Sequence, residues 1–336
     1  MVSYVLRRIL LMIPTMIGIT LLLFVVMRLA PGDPATLAVG TVGMGAEGAA
    51  MQAESNMEDA ITKFRKKYKL DEPLLVQYGY WIGSVARLDF GNEFFRPNVK
   101  VRDELWRRMQ VTVPLSLVSV ILSYLIALPI GILTAVKRGS VADKTATLSV
   151  FLLYSLPNFW AGLMLILIFG KTGLGWLPVL GLHDKDAASF TTFRYVMDVV
   201  HHAILPVAVL TYGGLAYLSR QMRGGMLEVI RQDYIRTARA KGLSERVVVY
   251  KHALRNSLIP VVTLFAGILP ILIGGSVIVE TIFTIPGMGL YAFEGLVQRD
   301  YNVVMGTVTA SAFMTLVGFL ISDVTYALVD PRIAYD

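Results

Sequence analysis

Six stretches of about 19 residues or more contain no Asp, Glu, Lys or Arg, and they leave this chain few architectures to choose from. A helix of that length, at about 1.5 Å per residue, crosses a hydrocarbon core of roughly 30 Å. Helices are required because lipid offers no partner for an unpaired backbone amide. The sequence therefore predicts an all-α, polytopic membrane protein with six transmembrane helices. The stretches are Ile9–Met27, Met109–Val136, Thr145–Gly170, Val199–Ser219, Asn256–Val279 and Tyr301–Ser322.

The composition agrees with this prediction and excludes several kinds of chemistry. Of the 336 residues, 55% are hydrophobic and 16% are charged, and the mean hydropathy is +0.62, which is too apolar for an ordinary water-soluble domain. There is no cysteine, so a disulfide framework, a thiolate metal site and a cysteine nucleophile are excluded. The first stretch is longer than the apolar core of a signal peptide and lacks a small-x-small cleavage site, so we expect a retained anchor.

The short loops carry Lys and Arg unequally, which predicts an orientation. With the N-terminus in the cytoplasm, nine basic residues from Arg220 to Arg255 lie inside. The short outer loops then hold only Lys171, Lys185, Arg194 and Arg299. An even number of spans places both termini in the cytoplasm, and we expect a multi-pass protein of the bacterial cytoplasmic (inner) membrane.

The chain divides into two predicted parts. Residues 1–108 hold the anchor helix (about 9–29) and a long extracytoplasmic segment, in which MEDAITKFRKKYKL and the spacing of Leu75, Tyr78 and Ile82 indicate helices. Residues 109–336 form a five-helix core with a basic cytoplasmic loop at about 220–258.

The basic loop has the pattern of two helices joined by a sharp bend. Apolar periodicity predicts a helix from Met226 to Lys241, and Gly242 is placed to end it in the left-handed conformation. Ser244 can then cap a second helix that runs through Val247, Val248 and Ala253.

Three interpretations of this loop compete. Attraction of Lys and Arg to anionic lipid headgroups explains the charge and not the bend. Nucleic-acid binding needs a free recognition helix, whereas this element is tethered at both ends to membrane spans. A docking site, in which the bent helix pair fits a groove of a cytoplasmic partner and passes rigid motion to the adjacent spans, explains both the charge and the bend.

The loop and most of the chain resemble a known family. EVIRQDYIRTARAKGLSERVVVYKHALRNSLIPVV resembles the cytoplasmic loop of ABC-transporter permeases, specifically the B-type subunit of the dipeptide and oligopeptide importers. Eight further segments also resemble that family, and they occur along the chain in the same order as in the family. They are YVLRRILLMIPTMIGITLLLFVVMRLAPGDPA, LDEPLLVQYGYW, AVKRGSVAD, SLPNFWAGLMLILIF, GWLPVLG, HAILPVAVL, ETIFTIPGMG and DPRI.

The resemblance implies a type I ABC importer permease fold with a helical extracytoplasmic insertion after the first span. It implies a companion six-span permease, two cytoplasmic ATP-binding subunits, an extracytoplasmic solute-binding protein and surrounding lipid, with no cofactor, no nucleic acid and no ATPase site in this chain. The family's Glu-Ala-Ala triplet, glycine and proline correspond to Arg236–Ala238, Gly242 and Pro260, and its docking helix to about Ala238–Ser244. The family's Glu is missing here, so no Glu-based contact is assigned. The docking residues it implies are Asp233, Arg236, Thr237, Ala238, Arg239, Ala240, Lys241, Gly242, Leu243 and Ser244.

No catalytic or metal site is legible elsewhere. FGKTG ends like a phosphate-binding loop, but Leu165 stands where that loop needs a glycine. The four histidines lack metal-binding spacing, and His201 and His202 are expected at the membrane interface. Glu280 and Asp323 lie near the ends of spans, either as interfacial groups or as members of an ion pair or the solute path.

Two other function classes and the solute stay open. An ion-coupled transporter or channel usually buries charged relay residues in its spans, and a membrane-embedded enzyme or sensor needs a cluster of reactive groups. Di- and oligopeptides lead as solutes, while nickel complexes, glutathione, opines and some sugars fit similar permeases. The pore-lining side chains are not assigned.

Overall fold

The computed structural model describes residues 2–29, 50–258 and 268–329, together with residues 33, 35, 36, 39, 261 and 264. Within these residues the regular structure is helical, and one isolated bridge joins Asn92 to Lys100. The predicted all-α class is therefore confirmed. The helices of the first two thirds are α1 (Val2–Leu29), α2 (Ala50–Lys67), α3 (Leu74–Val85), α4 (Val101–Val136), α5 (Val141–Ser155), α6 (Asn158–Phe169) and α7 (Thr192–Val229). The remainder are α8 (Asp233–Ala240), α9 (Glu245–Val247), a π-helical segment (Val248–Ala253), α10 (Leu254–Ser257), α11 (Ile268–Gly274), α12 (Val277–Ile282), α13 (Met288–Gln298) and α14 (Tyr301–Val329).

Four of the described helices are long and apolar enough to cross a membrane, namely α1, α4, α7 and α14. They contain the first, second, fourth and sixth predicted spans. A fifth is added if α5 and α6 together form one span. The fifth predicted span, residues 256–279, includes residues outside the described ranges, and its described pieces are α10, α11 and the start of α12. The count of six therefore stays a prediction.

The third predicted span is not one straight helix. The chain bends by 97° between α5 and α6, so the stretch Thr145–Gly170, predicted as one span, is broken at Pro157. Leu156 is extended, with φ −81° and ψ 124°, because a residue before proline is disfavoured from the helical region. Its carbonyl accepts a hydrogen bond from the Tyr212 hydroxyl of α7 at 3.1 Å. The polar group freed by the break is therefore satisfied.

The chain splits into two compact units, of which the first comprises Met1–Gln110 and Gly287–Leu316. The helices expected in its long segment are confirmed as α2 and α3. Its core consists of buried apolar side chains from α4, α13 and α14. Asp300 is buried and accepts from the Val303 and Phe94 N–H groups at 3.2 and 2.5 Å, which caps the start of α14. The core residues are Val101, Leu105, Met288, Tyr291 and Val303.

The second unit comprises Val111–Pro286 and Val317–Ala334. α4 and α7 pack closely within it: a Cβ at Gly131 would lie 2.7 Å from the Ser219 carbonyl oxygen, so only glycine fits there. One apolar cluster of this unit joins α4, α7 and α12. A second joins the C-terminal ends of α4 and α7 to the segment that follows α7, and this second cluster positions the candidate site.

Candidate docking site at the α8 bend

The end of α8 is set by Gly242, within a segment (residues 233–247) called here the α8 bend. Gly242 has φ +77°, in the left-handed region that glycine adopts without strain. Its N–H donates to the Arg239 carbonyl at 2.9 Å, and the Leu243 N–H donates to the Ala238 carbonyl at 3.4 Å. This pair of bonds is typical of a helix C-terminus closed by glycine. The prediction that Gly242 ends the helix is confirmed.

The prediction of one helix from Met226 to Lys241 is wrong, because Gln232 between α7 and α8 is extended, with φ −71° and ψ 150°. Residues of a helix are about 100° apart, so Met226 and Ile235 would point in opposite directions on one continuous helix. Both side chains are fully buried in the same apolar cluster. The break turns α8 so that its apolar face meets the core that α7 also contacts.

The second helical stretch begins after Gly242, as predicted, with different details. Ser244 stands before α9 with extended backbone, at the capping position, but its side chain makes no capping hydrogen bond. The predicted capping role of Ser244 is therefore wrong. The implied docking helix at Ala238–Ser244 is also placed differently, since the regular helix is α8 and the residues after Ala240 form the turn.

The inner face of the α8 bend is part of the core of the second unit. Buried apolar residues of α8 and the π-helical segment pack against the ends of α4 and α7. Because such cores are close-packed, a displacement of α8 must displace the helix ends beneath it. The buried members are Ile132, Ala135, Met222, Met226, Ile235, Ala238, Val248, Val249, Ala253 and Val261.

A close backbone contact ties α10 to α7. A Cβ added at Gly225 would lie 2.7 Å from the Ser257 carbonyl oxygen, whereas one added at Gly224 would meet no atom within 4 Å. The two backbones therefore touch at Gly225. The stretch after Gly242 is held to α7 by backbone packing as well as by side chains.

The outer face of the α8 bend carries most of the implied docking residues. Ala238 is the exception, since it is 6% exposed and lies in the core beneath that face. The structure thus brings the others together on one solvent-exposed surface. The exposed residues are Asp233, Arg236, Thr237, Arg239, Ala240, Lys241, Gly242, Leu243 and Ser244.

An ion pair crosses the bend. Arg239 Nε lies 2.6 Å from Glu245 Oε1, and Arg239 Nη2 lies 3.3 Å from Glu245 Oε2. The hydrogen bonds and charge of Arg239 lower the pKa of the Glu245 carboxyl below its ordinary value. Glu245 is absent from the sequence-predicted residues, although an acidic residue in the first turn after a glycine bend is a usable signal.

Two further contacts brace the surface and were also missed from the sequence. Asn256 Nδ2 donates to the Tyr234 hydroxyl at 2.8 Å, which connects α10 to α8. Arg223 Nη2 donates to Asp143 Oδ2 at 3.0 Å, which connects the end of α7 to the start of α5. Both pairs join residues far apart in sequence, so no periodic pattern reveals them.

Glu280 and Asp323, the other acidic residues singled out from the sequence, are both at least half-buried. Glu280 is 2% exposed and accepts a hydrogen bond from the Thr112 hydroxyl at 3.1 Å and a weak one from the Ser276 N–H at 3.4 Å. Asp323 lies half-buried on α14. Pro260, which corresponds to the proline of the family's loop, lies outside the described residues.

Comparison with protein families gives one model match over residues 127–335, described as "Binding-protein-dependent transport system inner membrane component". The matched range includes the whole α8 bend. It begins within α4, after α1 to α3, so the similarity to this model rests on the later part of the chain and includes the α8 bend.

Curated relatives are similar over the full chain. The oligopeptide transport system permease protein AppB of Bacillus subtilis (strain 168) is 43% identical, and the alignment covers 100% of both chains. The dipeptide transport system permease protein DppB of Escherichia coli (strain K12) is 37% identical over 100% of this chain and 99% of its own. These alignments include the long segment that the family model leaves out.

One solved structure shows the same fold. The inward-facing MetNI methionine ABC transporter contains a chain that matches with a TM-score of 0.52 and 21% identity. The match covers 67% of this chain and 96% of that chain. The matched part of the chain therefore has the fold of an ABC importer permease.

Proposed function

Because this chain belongs to the binding-protein-dependent transport system inner membrane components, in the peptide branch of the ABC importer permeases, we propose that it forms a peptide path together with a companion permease. Separate ATPase subunits supply the energy, since members of this family are permease subunits without an ATPase site. The α8 bend is where an ATPase subunit docks.

The main support for the docking proposal is that the α8 bend has an exposed polar face and a buried apolar face. Its outer face presents exposed polar and basic residues around Gly242, and its inner face is buried against the ends of α4 and α7. A basic loop that only attracted lipid headgroups would need neither the left-handed Gly242 nor the Arg239–Glu245 pair across the bend. A rigid surface on a rigid core suits the transfer of motion between subunits.

The coupling is mechanical. Closure of two ATPase subunits on binding ATP pulls the α8 bend, and the core beneath it carries the displacement to α4 and α7. The path between this chain and its companion then closes on one side of the membrane and opens on the other. An ATPase groove can bias this equilibrium only by the difference in its binding free energy for the two states.

The same proposal assigns the surroundings of the chain. The excess of Lys and Arg in one set of loops supports an orientation with those loops and both termini in the cytoplasm. Residues 1–108 then provide the anchor and an extracytoplasmic segment, and residues 109–336 provide the permease core. An extracytoplasmic solute-binding protein delivers the solute, for which small peptides are the leading class because the similar relatives are named as oligopeptide and dipeptide permeases.

The docking proposal is tested by Gly242→Trp in the importer reconstituted with its ATPase subunits in proteoliposomes. A Cβ at Gly242 meets no atom within 4 Å, so the indole projects into solvent, where the partner must sit. We expect ATP hydrolysis to fall at least about tenfold, because the indole occupies the space of the partner.

Gly139→Trp is the matched control. Gly139 also has a left-handed φ, +81°, is exposed on the loop before α5, and has open space around its Cβ. This variant should keep parental hydrolysis and report the cost of a tryptophan at a left-handed glycine. Parental hydrolysis by Gly242→Trp would remove the basis for docking at the α8 bend.

A further inference from the structure

Three side chains of types that can ligate a metal lie close together where the loop between α6 and α7 contacts α7. The ligand atoms of Asp184, Asp198 and His202 lie within 4.8 Å of one another. Asp198 and His202 are one turn apart on α7, and Asp184 comes from the loop. The sequence showed no metal pattern because its spacing rules look along one segment, whereas this cluster combines two.

The imidazole of His202 is buried and oriented for ligation. Its side chain is 4% exposed, and its Nδ1 lies 2.9 Å from the Asp198 carbonyl oxygen one turn earlier and 3.3 Å from Asp198 Oδ1. A carbonyl and a carboxylate only accept, so Nδ1 carries the proton and Nε2 keeps its lone pair. In many proteins a hydrogen bond from the nitrogen that does not bind the metal fixes the tautomer of a metal-ligating histidine in this way.

The Nε2 atom faces a carboxylate at a distance that suits an intervening ion. Nε2 lies 3.8 Å from Asp184 Oδ1, which is too far for a hydrogen bond. Two ligand atoms each about 2.1 Å from one ion can be up to about 4.2 Å apart. Asp184 is 66% exposed on its side chain, so it can rotate to complete the coordination.

The third ligand and the loop are already held in place. Asp198 is 10% exposed on its side chain, and its Oδ2 accepts the Asp184 N–H at 2.8 Å. The Trp176 carbonyl oxygen lies 3.2 Å from His201 Nε2, which fixes the loop to α7 at a second point. The cluster is thus built on a positioned backbone, as ligation requires.

We propose that Asp184, Asp198 and His202 bind a divalent first-row transition-metal ion that cross-links the α6–α7 loop to α7. One imidazole and two carboxylates are donors suited to Zn²⁺ and its neighbours, whereas Mg²⁺ and Ca²⁺ take oxygen ligands alone. Water completes the coordination, because three protein ligands leave a position open. The bound ion adds a link between two segments that already touch.

The test uses the full chain in detergent without a histidine tag, stripped with a chelator and titrated with Zn²⁺ by calorimetry. We expect saturation at one ion per chain. Asp184→Asn should weaken the affinity at least about tenfold, and because that residue is exposed the variant should fold normally. Asp186→Asn, an exposed aspartate of the same loop outside the cluster, is the matched control and should bind as the parent does.

Two further measurements identify the ligands and the ion. His202→Gln should weaken binding as Asp184→Asn does, while His183→Gln should leave it unchanged. The absence of saturable binding, unchanged affinity in Asp184→Asn, or loss of binding in His183→Gln instead of His202→Gln would each overturn the proposal. So would displacement of Zn²⁺ by an equal concentration of Ca²⁺.

Discussion

Two bends in the second unit are both exposed, and their surfaces differ completely. The bend between α5 and α6 exposes large apolar side chains, among them Phe151, Leu152 and Trp160. The α8 bend exposes Arg236, Arg239 and other polar residues instead. A proline breaks the first and a left-handed glycine turns the second. The two exposed surfaces therefore differ in the surroundings that each one suits.

The difference indicates what covers each bend. A contiguous apolar surface on a membrane chain is stable only against lipid or another apolar protein surface, so we expect one of these to cover the α5–α6 bend. A polar surface closed by hydrogen bonds is stable in water, so the α8 bend suits the water-soluble partner proposed above. The following variants test this contrast, from the largest expected effect to the smallest.

An introduced carboxylate should separate the two bends most strongly. Leu152→Asp on α5 should cost about 2–4 kcal/mol of insertion free energy, since a charge in hydrocarbon lacks a partner. Leu243→Asp makes the same change at the α8 bend, where the side chain already contacts water, and should insert normally. The measurement is the fraction of each variant retained in alkali-washed membranes. Equal retention of both variants would show that the α5–α6 bend is not surrounded by lipid or protein.

An added methyl group should show how tightly each bend is supported. Gly225→Ala forces a Cβ to 2.7 Å from the Ser257 carbonyl oxygen beneath the α8 bend, which should cost about 1–3 kcal/mol. Gly162→Ala, on α6, brings its Cβ no closer than 3.5 Å to Phe283 and should cost much less.

Gly224→Ala controls for helix propensity in this comparison. Its Cβ meets no atom within 4 Å, and alanine favours a helix over glycine by up to about 1 kcal/mol. The melting temperatures of the detergent-solubilised variants should therefore rank Gly225→Ala lowest. A Gly225→Ala melting temperature equal to that of Gly162→Ala would contradict close support of the α8 bend.

Part of this architecture was predictable because its signals are local. Uncharged stretches of span length located α1, α4, α7 and α14, and the preference of glycine for positive φ located the end of α8 at Gly242. Pro157 lies in the third stretch, and a proline there predicts a kink in the helix. The full break depends on contacts that the sequence does not display, such as the Tyr212 hydrogen bond to the Leu156 carbonyl.

The remainder depends on contacts that no periodicity contains. A helix drawn from Met226 to Lys241 follows the apolar spacing, yet the burial of both Met226 and Ile235 in one core requires the break at Gln232. Arg239 and Glu245 are six residues apart, which places them on different faces of a straight helix. They meet only because Gly242 turns the chain between them.

The smallest expected effect is the stability that this ion pair gives to the α8 bend. Arg239 lowers the pKa of Glu245 in the folded chain relative to the ordinary value of 4.5, so the folded state favours the charged carboxylate. The stabilisation is present above pH 4.5 and is lost as the pH falls through the lowered pKa. Because both side chains are largely exposed, it should amount to about 0.2–1 kcal/mol after screening by solvent.

Glu245→Gln removes that charge, and Glu228→Gln, on the exposed side of α7, is the matched control. At pH 7 and low salt, Glu245→Gln should melt slightly below the parent, and the gap should narrow at 1 M salt and as the pH falls from 4.5 through the lowered pKa of Glu245. Glu228→Gln should melt with the parent throughout, since Glu228 makes no ion pair within the described part of the chain. A gap that persisted at a pH low enough to protonate Glu245 in the folded chain would mean that the side chain acts through packing, and that the left-handed Gly242 sets the angle of the polar bend.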